Sequence, residues 1–116
     1  MIALKLEKSV YINGDITVIV SSNSWRLMQD TRILKMEVSI GALPTGTGST
    51  IVRAIRNNDT EDQLYAVEFT AGGQQILTDT AEKLINAGDT IQIIIPQIAD
   101  TTGGQDLLIQ FLHHPL

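Results

Sequence analysis

At 116 residues, 43% of them hydrophobic and 18% charged, the chain has apolar material for one packed core and too little length for two ordinary domains. It has no cysteine, which excludes a disulfide framework, thiol catalysis and thiolate metal sites. Its apolar runs are a few residues long against the ~20 that cross a bilayer, and its opening residues do not read as a secretory leader. Thirteen acidic against eight basic residues give a net charge of −5, so neither membrane nor nucleic acid is an expected partner.

More than a quarter of the residues are Ile, Val or Thr, β-branched types that suit a pleated surface better than a helix. Clusters of Gly, Asn, Asp, Ser and Pro punctuate the chain every eight to twelve residues or so, which predicts an all-β protein of many short strands. Ile2–Leu6 alternates and opens the series; residues 1–8 are a candidate arm or edge strand. Asn13-Gly14-Asp15 is a turn signal, and Tyr11–Val20 around it reads as a hairpin with Ile16, Val18 and Val20 on one face. Trp25 and Leu27 alternate with Arg26 and Met28. Ile33–Ile40 has the cleanest period of two, with Leu34, Met36, Val38 and Ile40 opposite Lys35, Glu37 and Ser39. A Gly- and Pro-containing loop, 41–49, leads to a strand from Thr50 to Arg56. Asn57–Asp62 reads as an exposed tip. Leu64–Phe69, Gln74–Leu77, Ile91–Ile95 and Asp106–Leu112 are further strands, and Asp79–Asn86 has the composition of one helical turn. The sum fits a single domain, 1–116, built as an antiparallel β-sandwich of jelly-roll type.

Two strands carry apolar residues on both faces. In Ile91–Ile95 the alternating Ile91, Ile93 and Ile95 suffice for a core, yet Ile94 stands opposite with Gln92. In the last strand Leu107, Ile109 and Phe111 form one face, and Leu108 and Leu112 flank Gln110 on the other. Either a loop or the N-terminal segment covers the second face, or Ile94, Leu108 and Leu112 form a contact between subunits, because a small protein rarely leaves such a patch open.

Residues for chemistry are sparse. His113 and His114 are adjacent, so in a strand they point to opposite faces and do not share one metal ion; they read as an exposed strand end. Gly46-Thr47-Gly48-Ser49-Thr50 lacks the lysine and the following helix of a phosphate-binding loop. Asn58–Asp62 is rich in oxygen ligands but lacks the glycine-punctuated spacing of a calcium loop. The serines and threonines have no histidine away from the terminus to serve as base. Trp25 beside Arg26 admits a sugar-stacking site, although its alternation with apolar neighbours assigns it to the core. No catalytic, cofactor or metal residues are expected, and the protein is read as a scaffold and not an enzyme.

Two blocks carry a resemblance. Met36–Asp59, MEVSIGALPTGTGSTIVRAIRNND, has a strand ending in small residues, then Pro44-Thr45-Gly46, then a strand running into an Asn-containing turn. Ile85–Phe111, INAGDTIQIIIPQIADTTGGQDLLIQF, opens a strand with Ala87-Gly88-Asp89 and closes with a Gly104-containing loop before Asp106-Leu107. Together these blocks resemble small jelly-roll structural proteins of tailed bacteriophages, over about half the chain. Pro44 suits such a turn by its fixed φ, Gly46 by allowing a positive φ, and Gly88 with Asp89 by tight entry into a strand. The resemblance implies a capsid decoration (cement) protein at the virion surface, made in the host cytoplasm, associating as a homotrimer and binding the major capsid protein. The alternative it implies is a receptor- or carbohydrate-binding module of a tail fibre or spike. The absence of a linker or coiled-coil heptad favours the decoration protein.

Overall fold

The computed structural model describes residues 6–116, with side chains described for all of these except 20–23. Nine strands and no helix occur among them: β1 (Leu6–Asp15), β2 (Ile19–Arg26), β3 (Thr31–Ala42), β4 (Ser49–Arg56), β5 (Asp59–Thr70), β6 (Ile76–Asp79), β7 (Lys83–Ile85), β8 (Thr90–Gln97) and β9 (Gln105–Pro115). They form two antiparallel sheets. The first runs β1-β9-β3-β6, with β7 also paired to β3, and the second runs β2-β8-β4-β5. The chain changes sheet at most of its connections, so strands distant in sequence become neighbours, as β1 and β9 do.

The alternation seen in the sequence builds the core. Met36, Val38, Ile40, Leu107, Ile109 and Phe111 point from the first sheet toward Val52, Ala54, Val67, Phe69, Ile91, Ile93 and Ile95 of the second. Burial of these side chains is the main driving force for closing the sandwich. Tyr65 reaches across, its hydroxyl donating to the Ile33 carbonyl at 3.3 Å. Burial, with Asp79 and Glu82 adding to it, pushes the Tyr65 hydroxyl well above its ordinary pKa.

Several expectations are corrected. Asn13-Gly14 does not turn a hairpin: β1 continues through it to Asp15 and pairs with β9, while β2 lies in the other sheet. Gly14, at φ +83°, sits where the register shifts between Ile12 and Asp15, which is the left-handed residue of a bulge. Ile16 is buried whereas Val18 is exposed, so they do not share a face. In β3 a shift between Ile33 and Lys35 puts Ile33 in the core and leaves Leu34 half-buried. The expected helical turn at 79–86 is absent. Lys83–Ile85 instead forms β7 on β3, since so short a helix is marginal without tertiary support. The tip at 57–62 shortens to Asn57 and Asn58, at φ 52° and 58°, with β5 starting at Asp59; two positive φ values are the signature of a type I′ hairpin. Ile2–Lys5 of the expected first strand lies outside the described residues, and Leu6–Lys8 belongs to β1.

Candidate assembly surfaces

The outer face of the first sheet holds several of the apolar residues that the core leaves over. Across the sheet, Leu108 stands opposite Tyr11 of β1 and Ser39 of β3, and Ser39 stands opposite Ile76 of β6. Tyr11 is 57% and Ile76 58% exposed, and Leu108 between them is half-buried. Leu112, also half-buried, lies between Glu7 and Lys35. Leu84 of β7, 58% exposed, continues the surface beside Arg32 and His114. Charged residues interrupt the strip, including Lys35 and Glu37, whose termini are 4.0 Å apart.

Ile94 departs from the expected contact set in two ways. It is only 3% exposed within one chain, and β8 belongs to the second sheet, so its outward face and that of Leu108 and Leu112 look away from opposite sides of the sandwich. Its register partner is Arg53, whose guanidinium donates to Gln63 Oε1 and the Thr60 carbonyl, both at 2.6 Å. An arginine held down in this way offers its aliphatic stem as cover for a cross-strand neighbour. Beside Ile94, Gln92 is also buried, and its amide is paired: Nε2 donates to Ser24 Oγ and Thr90 Oγ1, and Oε1 accepts from the Asn58 amide. Tyr11, Ile76 and Leu84 were not expected on a common surface. Only the register of the sheet, which sequence alternation does not contain, sets them beside Leu108 or on the same face.

A second surface is the side where β1 and β2 end their sheets. Among the described residues each pairs with a single strand, β9 and β8 respectively, which makes its other flank a sheet edge. Between these edges lies an open cleft of about 320 Å³, lined by Lys8, Val10, Trp25, Ile91, Ile93 and Phe111 among others. Trp25 is half-buried there, its ring 5.7 Å from Phe111 and 4.8 Å from His113. His113 therefore turns inward and is not the exposed strand end that the sequence suggested. Burial, with His114 and Lys8 nearby, lowers its pKa, and its Nδ1 is buried without a hydrogen-bond partner.

The turn residues that carried the resemblance fasten loops. Thr45 and Thr102 hydroxyls share a hydrogen bond of 2.8 Å, and Gly46, at φ +96°, passes against Asp100. The Asp100 carboxylate accepts from the Thr47 hydroxyl and, at 2.8 Å, from the Thr47 amide; these bonds hold its pKa below the ordinary value. Pro44 is buried beside them. The Gly88 amide donates to the Leu27 carbonyl. Asp89 accepts from Asn57 and the Asn86 amide and lies 3.9 Å from Arg56. Among the described residues no group of three or more His, Asp or Glu is placed to hold a metal ion.

No protein-family model matches this sequence, and no curated protein does. Solved structures match by fold. A chain in the acidic stable capsid structure of Helicobacter pylori bacteriophage KHP30 superposes with a TM-score of 0.66 at 8% identity, over 97% of this chain and 88% of that one. A chain from Bacillus endospore appendages, which form a novel family of disulfide-linked pili, superposes with a TM-score of 0.50 at 14% identity, over 100% of this chain and 92% of that one. At these identities the likeness is one of fold. The shared fold spans the whole sandwich, so the loop fastenings and both surfaces described above stand on a scaffold that those two chains also have.

Proposed function

We propose that the chain is a non-enzymatic structural protein of a phage virion, a decoration protein that assembles as a homotrimer on the capsid surface and binds the major capsid protein. The observation that carries this reading is the superposition of nearly all of this sandwich on a phage capsid chain. Its interleaved strand order supports the jelly-roll reading made from sequence. The strip of Tyr11, Leu108, Ile76 and Leu112 supports subunit contact, since side chains of this kind gain most when a symmetric copy covers them. The outer flank of β1, a sheet edge among the described residues, supports attachment to a coat subunit by strand addition.

The test is co-sedimentation of the purified protein with shells of its cognate coat protein, alongside a light-scattering mass of the protein alone. Saturable binding by a species three times the chain mass is the expected result. Free protein in the supernatant at every concentration overturns the decoration role, and a single-chain mass at high concentration overturns the trimer.

A further inference from the structure

We infer that Asn13-Gly14 is a self-modifying site, at which the folded chain converts Asn13 to aspartate or isoaspartate with Asp106 as the acid-base group and Tyr11 as the oxyanion donor. Side-chain amides followed by glycine cyclise when the next backbone nitrogen reaches their carbonyl carbon. Here three groups needed for that step converge. The nitrogen in question, that of Gly14, donates its proton to Asp106 Oδ1 at 2.7 Å. The carbonyl oxygen, Asn13 Oδ1, accepts from the Tyr11 hydroxyl at 3.5 Å. Gly14 itself has φ +83°, and nothing lies within 4 Å of where its Cβ would be, so the space beside its α-carbon is open. Asp106 holds its position at φ 59°, a conformation uncommon for a residue with a side chain. Asn13 is exposed, which gives water access.

The step balances as follows. Gly14 N attacks Asn13 Cγ while its proton passes to the Asp106 carboxylate, and negative charge gathers on the oxygen facing Tyr11. The Cγ–NH2 bond then breaks, and ammonia leaves with the proton returned by Asp106, closing a succinimide. Water opens either C–N bond of the imide, giving aspartate or isoaspartate. The new carboxylate lies near Asp15 and Asp106, where its charge opposes the end of the β1–β9 pairing.

The experiment follows the full chain at neutral pH by intact mass and by enzymatic methylation of isoaspartate. The folded wild type accumulates the deamidated form with a succinimide precursor. Asp106→Asn retains an oxygen acceptor and tolerates positive φ but is no base; it slows conversion by about 10²-fold, the lower end of what a positioned acid-base group supplies. Tyr11→Phe slows it by about tenfold or less, as befits a long hydrogen bond. Wild type held in denaturant, where the three groups are dispersed, also converts more slowly, and this arm does not require any variant to fold. Conversion in denaturant that equals or exceeds the folded rate overturns the proposal, as does a folded Asp106→Asn chain that converts as fast as wild type; an unchanged Tyr11→Phe rate overturns the role of Tyr11.

Discussion

Single side chains in this sandwich carry consequences that depend on whether water reaches them. His113 packs between Trp25 and the start of β1 with its Nδ1 unpaired, so the fold favours the neutral ring and depresses its pKa. The unfolded chain takes up the proton first, near pH 6.5. Stability from this group is therefore present above that pH and declines as the pH falls through it. Thermal melts recorded at decreasing pH are expected to show a falling midpoint in wild type and a smaller fall in His113→Phe; parallel curves count against the assignment. Gly46 offers a second case. A Cβ there would run into Asp100 Oδ1 and stand 2.9 Å from the Thr101 amide nitrogen, and the backbone is left-handed at φ +96°. Gly46→Ala is expected to cost more than the ~1–2 kcal/mol of the left-handed conformation alone, read as a shift in urea midpoint. Pro44, Thr45 and Gly46 were legible in sequence as a turn, since proline and glycine announce their dihedral angles. That the turn is bolted to Asp100 was not legible, because a contact across more than fifty residues leaves no local trace.

Strands were easier to read than their partners. The period of two placed β3, β4, β8 and β9 close to their observed ends, because one face of each meets the core. Bulges were invisible: the shifts at Ile33/Lys35 and at Ile12/Asp15 each move the inward set by one residue, and an alternation count has no means of seeing an inserted residue. Asn13-Gly14 and Asn57-Asn58 make the point together. Both are turn signals, yet only the second joins adjacent antiparallel strands, β4 and β5. Its two left-handed residues differ in role. Asn57 accepts from the Thr90 amide at 2.9 Å and donates to Asp89 at 3.1 Å, whereas at Asn58 the backbone amide bonds Gln92. Asn58→Gly is expected to hold or raise stability by up to about 1 kcal/mol, glycine being favoured at a positive φ. Asn57→Gly loses side-chain bonds and is expected to lower it by about 1 kcal/mol. Equal effects in denaturant melts would remove the distinction.

Among the described residues the molecule has an apolar core closed between two sheets, whose outer faces carry the surfaces of the proposed assembly. The alternation shows that β8 and β9 each have surplus apolar residues, but it leaves Ile94, Leu108 and Leu112 together, either under a loop or the N-terminal segment or in a subunit contact. The sheets separate them. Ile94 is covered within its own chain, whereas Leu108 and Leu112 are half-covered and belong to the proposed contact. Ile94→Ala is accordingly expected to lower the stability of the isolated chain by about 2–4 kcal/mol, as removal of a buried aliphatic group does. Leu108→Ser together with Leu112→Ser deletes less buried surface. In the isolated chain this pair costs about 1–2 kcal/mol at most, but it deprives the proposed symmetric contact of its centre once for every copy present. Sedimentation velocity over a range of concentrations reads the difference: Ile94→Ala keeps the assembled species while melting earlier, and the double serine variant stays folded while losing it. Reversal of that pattern would return the subunit contact to the second sheet and move the search for partners to the face around Arg53.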